Sequence, residues 1–382
     1  MLRTGTVSDR PMAYLDHAAT TPMRPEAIEA MLPFLSTRFA NPSGGHAFAR
    51  DARLALDDAR DEVAAVLGVD AGEIVFTGDG TEADNLAVMG VHKRRGGTVV
   101  CASAEHHAVL GAVEALGGRV VAVDGVARID LDALRAALDD TVCVVSAMAV
   151  NNEVGTVNPL HDIARVVRKK AKNAVFHTDA VQALTWIDPA EIVPHVDLLS
   201  LSGHKFGGPK GVGVLYVRDG VKFDALKLGG GQERERRSGT QNVAGIAALA
   251  TALRITHADR KSEVERIETL RNRFLDTLLA TVDGVRETVP RDVKVAGSAH
   301  VCFDGVESEA LLFLLEREGV YASAGSSCAS GATQISHVLE AMGTAREDAA
   351  GAVRFSFGYA STADDVDRAL AAIPPAVERL RR

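Results

Sequence analysis

The chain has 382 residues, 47% hydrophobic and 24% charged, with a net charge of −9. That acidic balance argues against a nucleic-acid-binding surface, which would be basic, and no apolar run reaches the length of a membrane span. The length predicts two domains. Residues 1–12 are polar and lack the apolar core of a signal peptide, so a cytoplasmic protein is expected, with no direct nucleic-acid or membrane contact.

Apolar residues at helical spacing predict helices over residues 25–35 and 46–67, joined by a turn at Asn41-Pro42-Ser43-Gly44-Gly45. Short β-rich runs then alternate with helical ones. Strands are predicted over 74–76, 98–101, 119–123, 142–147, 174–177, 196–201 and 213–217, and helices over 82–94, 107–116, 131–138 and 163–172. Such alternation implies right-handed βαβ crossovers and a mostly parallel sheet covered on both faces, an α/β fold. A long helix over 243–279 interrupts the rhythm. Strands at 293–295, 300–303 and 353–357 and helices at 308–318 and 363–380 then predict a smaller α+β domain.

Ligands of such sheets bind beyond the carboxyl ends of the strands. After the strand at 74–76 comes Thr77-Gly78-Asp79-Gly80-Thr81-Glu82, where glycines and a helix N-terminus offer N–H groups to a phosphate. Gly78, Gly80 and Ala83 also meet the loose dinucleotide pattern, although the acid it requires is replaced by a late Glu105. His106 and His107 follow, and neighbouring side chains on extended backbone diverge, which disfavours a shared metal. Asp179 ends the strand at 174–177, either as a cap or as the acid that keeps a pyridine nitrogen protonated. Past residues 196–201 stand Ser202, His204 and Lys205 in a glycine-rich turn, with Lys210 as the rival amine. Burial favours the neutral amine, a nucleophile toward a carbonyl. A phosphate loop, an acid and a lysine together describe pyridoxal 5′-phosphate (PLP) better than a dinucleotide.

The four cysteines show no zinc-like spacing, and no metal is expected. Cys101, Cys143 and Cys302 sit in apolar runs as small hydrophobes. Cys328 stands apart in Ala322-Ser323-Ala324-Gly325-Ser326-Ser327-Cys328-Ala329-Ser330-Gly331, a run too small-sided to bury it, and so reads as reactive.

Seven segments carry a resemblance: Tyr14-Leu15-Asp16-His17-Ala18-Ala19-Thr20-Thr21-Pro22, Glu105-His106-His107-Ala108-Val109-Leu110, Asn151-Asn152-Glu153-Val154-Gly155, Ser202-Gly203-His204-Lys205, Gly229-Gly230-Gly231-Gln232-Glu233, Arg237-Ser238-Gly239-Thr240 and Ser336-His337-Val338-Leu339. In this order they resemble the PLP-dependent cysteine desulfurases of the NifS/IscS type, within the class V aminotransferase family. The resemblance implies PLP-dependent transferase fold type I (aspartate-aminotransferase-like) and a homodimer. It implies an N-terminal arm over 1–15 packing with the small domain, a large domain over 16–258, and a small domain over 259–382 carrying Cys328. Lys205 would hold the cofactor aldehyde and later move protons. Gly80, Thr81, Ser202 and His204 would hold its phosphate, and Thr240 would reach the partner subunit's cofactor. His106 would stack on the ring, Asp179 would pair with its nitrogen, and Gln182 and Asn152 would lie near its oxygen. Arg354, with Asn152, would clamp the substrate carboxylate. Cys328 would accept sulfane sulfur from L-cysteine, releasing L-alanine, and pass it to an acceptor protein such as an iron–sulfur scaffold or a tRNA-thiolation enzyme. Selenocysteine lyase or another transaminase-like conversion is the alternative on the same fold. Asp79 departs from the family, which has a small residue there, and residues 1–12 have no family counterpart.

Overall fold

The computed structural model describes residues 12–325 and 335–382. The described chain opens on a two-residue strand, β1 (Ala13–Tyr14), followed by helices Pro25–Ser36 and Ala47–Leu67. The helix Ala47–Leu67 stops where Gly68 takes φ +69, a left-handed cap that glycine adopts without a Cβ penalty.

Seven strands form the central sheet: β2 (Ile74–Thr77), β3 (Thr98–Ala102), β4 (Arg119–Val121), β5 (Val142–Ser146), β6 (Val175–Asp179), β7 (Leu198–Ser202) and β8 (Gly213–Val217). Their spatial order is β2-β8-β7-β6-β5-β3-β4. All pairings are parallel except those of β8, which runs antiparallel to both β2 and β7. The cause is the short connection over residues 203–212, which holds a single 3-10 turn, Gly203–Lys205, and no crossover helix. Strands buried on both faces alternate between two cores. Val75, Cys101, Val144 and Leu198 join the core under helix Gly80–Arg95, while Phe76, Val100, Val145 and Leu199 join the larger core opposite. Cys101, Cys143 and Cys302 are buried free thiols, as their sequence context predicts.

Helix Val243–Thr281 continues unbroken for 39 residues. Apolar residues of its first half, from Ile246 to Leu253, belong to the large core, and those from Ile267 to Leu278 to a second core. The second core is built on an antiparallel sheet of β9 (Val285–Glu287), β10 (Ser298–Phe303) and β12 (Ala352–Ser356), with β10 in the middle. Strand β11 (Val320–Tyr321) pairs in parallel with β1, which buries Ala13 and Leu15 in this core. Helices Ser308–Arg317 and Ala363–Arg381 cover it. Of the strand expected at 293–295, Val293 ends a 3-10 turn, Arg291–Val293, and Lys294 makes a single antiparallel bridge to Thr156; the strand that pairs in the small sheet lies earlier, at Val285–Glu287.

Candidate active site

The parallel strands bring their carboxyl ends to one edge, and a cavity of about 370 Å³ opens there. Gly80, Thr81, His106, Asn152, Asp179, Gln182, Ser202, His204, Lys205 and Arg354 all line it. Two expected residues do not. Thr240 is exposed and not among its lining residues, and Cys328 lies outside the described residues.

The phosphate end is built by helix Gly80–Arg95. Asp79 is its N-cap, with Oδ1 accepting from Glu82 N at 2.7 Å, so the residue that departs from the family pattern is used in closing the helix. The N–H groups of Gly80 and Thr81 find no acceptor among the described residues. A Cβ on Gly80 would meet Val181 Cγ2 at 2.9 Å and Ser202 Cβ at 3.2 Å, so only glycine lets this backbone approach the floor of the cavity. Ser202 and His204 stand opposite. His204 Nδ1 pairs with Thr20 Oγ1 at 3.1 Å, and burial, followed by the charges of Lys205 and Lys210, pushes its pKa down to about 4.

Lys205 closes the 3-10 turn after β7 and donates through Nζ to the carbonyls of Ala18 (2.6 Å) and Ala19 (2.9 Å). Its rival Lys210 is exposed. Gln182 Nε2 donates to the same Ala18 carbonyl at 2.8 Å. Asp179, at the end of β6, is 5% exposed and accepts from Val181 N at 2.9 Å. Burial raises its pKa, opposed by His106, the Val181 N–H and Lys205. His106 caps helix His107–Ala115 by accepting from Ala108 N at Nδ1, 3.1 Å, and burial holds its imidazole below the usual range.

Arg354 points into the cavity from β12 of the small sheet. Its Nη1 donates to the Asn152 carbonyl at 2.8 Å and its Nη2 to Asp16 Oδ1 at 2.7 Å, while Nε is buried with no partner among the described residues. Sequence reasoning gave Asp16 no role, although the segment that carries it was singled out. It also passed over Asp84 of helix Gly80–Arg95, which lines the same cavity.

These groups fit PLP as a donor set. Open N–H groups at a helix start and the Ser202 hydroxyl suit a phosphate. A buried carboxylate suits a protonated ring nitrogen, and an amine suits an aldehyde. Comparison with known proteins agrees. The family model described as aminotransferase class-V matches residues 13–369. This chain belongs to the class-V aminotransferase family. Among relatives of this family member, a cysteine desulfurase IscS of Methanosarcina thermophila is 40% identical over 377 residues, covering 96% of this chain and 92% of the relative. A putative cysteine desulfurase IscS 1 of Bacillus subtilis is 40% identical, covering 96% and 99%. A solved NifS-like protein superposes with a TM-score of 0.90 at 36% identity, covering 97% of this chain and all of that one. A structure titled SspA in complex with cysteine gives a TM-score of 0.78 at 31% identity, over 90% of this chain and 98% of that one. The class-V architecture is therefore the PLP fold type I expected from the sequence, and its members are PLP-dependent enzymes.

Proposed function

We propose that this protein is a cysteine desulfurase that binds PLP, converts L-cysteine to L-alanine and delivers sulfane sulfur to Cys328. The observation that carries the reading is one cavity lined by Lys205, Asp179, His106 and the open start of helix Gly80–Arg95. When bound, the cofactor supplies an electron sink for the substrate's α-carbon.

The chain's own residues do the rest. Gly80, Thr81, Ser202 and His204 would hold the phosphate, with neutral His204 donating through one ring nitrogen. Asp179 would keep the ring nitrogen protonated, and His106 would cover the ring. Arg354 receives the substrate carboxylate with the hydrogens its Nη groups keep free. Asn152 holds Arg354 in place through its carbonyl. Lys205 Nζ, aligned by the Ala18 and Ala19 carbonyls, moves the α-proton. The Cys328 thiolate takes the substrate's sulfur, and an acceptor protein for iron–sulfur assembly or tRNA thiolation takes it onward.

A homodimer completes the reading. Leu32, Leu35, Phe39 and Leu54 are each more than half exposed on the first two helices and their link, an apolar area that a second copy would cover. Thr240, exposed and not among the residues lining this chain's cavity, then serves the partner's. Thiol-based sulfur transfer requires a reducing compartment, which favours the cytoplasm.

The test incubates purified protein with L-cysteine, then measures alanine and the mass of the Cys328 peptide. Alanine release and a gain of one sulfur are expected; Lys205→Ala should lose both, along with any visible absorption band. Alanine without sulfur on Cys328 would overturn the desulfurase assignment.

A further inference from the structure

Beneath Asp179 lies a second acid. Asp84 sits on helix Gly80–Arg95 and is 1% exposed. One oxygen of Asp84, one of Asp179 and a ring nitrogen of His106 all lie within 4.8 Å of one another. Asp84 Oδ1 is buried with no hydrogen-bond partner in the described structure. His177 Nε2 stands 3.6 Å from it but is engaged with Ser200 Oγ at 2.9 Å, and His177 Nδ1 pairs with Ser146 Oγ at 2.9 Å. Both hydroxyl contacts suit a neutral imidazole, and burial pushes the His177 pKa down to about 3.

The groups facing Asp84 from every side are therefore acids or neutral. Asp79 caps its own helix, Glu105 lies buried beyond β3, Asp179 ends β6, and Ser200 and His177 flank it from β7 and β6. His106 stands near both carboxylates, its imidazole held below the usual range by burial, while the Lys205 cation and the Val181 N–H face Asp179. Two carboxylates this close in a dry site cannot both stay ionised. Burial and then Asp179 drive the Asp84 carboxyl well above the carboxylate range, against the opposing pull of its hydrogen bond with Ser200.

We propose that Asp84 and Asp179 share one proton, held on Asp84, so that Asp84 is a positioning residue which leaves Asp179 the charged acid facing Lys205 and His106. The link to a ring nitrogen rests on the function proposed above; the shared proton itself rests only on this geometry. Asp84→Asn imitates the protonated acid permanently, whereas wild-type Asp84 must lose its proton on unfolding at any pH above the ordinary carboxyl range. A group whose folded pKa is raised gives stability that fades as pH rises toward that folded pKa.

Denaturant midpoints of the full chain, wild type and Asp84→Asn, are measured from pH 5 to pH 8. The midpoint of Asp84→Asn should shift upward relative to wild type as pH rises, and a difference that stays flat would overturn the proposal. In an Asp179→Asn background the effect should shrink, because Asp84 no longer has a charged rival. An undiminished effect there would show burial alone holding the proton and would overturn the sharing. If Asp84→Asn does not fold, the Asp179→Asn chain alone serves: its stability should fall less steeply than that of wild type over the same range, and an unchanged slope overturns the proposal. A visible cofactor band read on the same samples separates the two readings. A protein without a band but with the pH effect loses only the cofactor assignment, and one with a band but no pH effect loses only the shared proton.

Discussion

Glu233 offers the sharpest test of how the segment leading to Thr240 is held. Glu233, Arg234 and Glu235 take φ values of 50°, 58° and 65°, three consecutive left-handed residues that are not glycine. Each costs about 1–2 kcal/mol, so the segment needs an anchor outside itself. Glu233 supplies it. Its carboxylate accepts Arg60 Nη1 and Nη2, both at 2.8 Å, and Phe76 N at 3.0 Å, with side-chain exposures of 8% for Arg60 and 1% for Glu233. Arg60 is fixed in turn by the Ile74 carbonyl at 2.8 Å and by the Phe76 ring, 4.7 Å from its centroid. Glu233→Gln keeps the shape but turns an amide NH₂ toward donors and leaves the guanidinium buried without a counter-charge. Breaking one side of such a pair costs about 3–5 kcal/mol. Guanidinium denaturation should show a lower midpoint at an unchanged slope, the shift multiplied by the slope giving that loss. The double change Arg60→Met with Glu233→Leu removes both charges and should lose less than Glu233→Gln alone. A Glu233→Gln protein within about 1 kcal/mol of wild type would refute the anchor.

Three further outcomes follow from the site. Gly80→Ala places a methyl 2.9 Å from Val181 Cγ2, and overpacking of about 1–3 kcal/mol should weaken PLP binding about tenfold or more, read by absorbance titration. Arg354→Lys gives up the fork that reaches Asp16 and Asn152 together; kcat/KM for L-cysteine should fall roughly 30-fold or more, the loss expected for a truncated buried charge pair. His300 is fully buried on β10, bonded to Thr288 Oγ1 at 2.6 Å, and burial pushes its pKa down to about 3. Its unfolded form takes a proton near pH 6.5, so it costs stability as pH falls from there toward 3; His300→Asn should flatten that acid limb of a denaturant-midpoint profile, and an unchanged limb would remove His300 as its source.

The large sheet was legible because its strands are short apolar runs with turn residues at their ends, and residues buried on both faces need no subtler pattern. The residues at those ends, from Gly80 to Lys205, could be found for the same reason: parallel strands deliver whatever follows them to one edge. The antiparallel β8 was not legible as such, since its direction depends on how little chain lies between Ser202 and Gly213. The small sheet was read less well. β9 is Val285-Arg286-Glu287, a strand with no alternation to announce it, and β1 and β11 are two residues each.

Side-chain partnerships across the chain were the least legible feature. Asp16 and Arg354 are 338 positions apart, and no local pattern links them. Asp84 did leave a trace. Ala83, Ala87, Val88 and Val91 lie on the buried side of its helix, and a residue three and four places before Ala87 and Val88 shares their face. A carboxylate on such a face breaks the apolar stripe, and only a polar site on the sheet beneath can accommodate it. That site is Asp179, His177 and Ser200, spread over two strands whose side chains alternate faces. Asp179 and His177 are two residues apart on β6 and turn the same way, and Ser200 stands opposite Asp179 in the ladder. A polar residue that interrupts a buried helix face, set against polar residues two apart on a strand end, is thus the pattern by which sequence alone would place a second acid under the first.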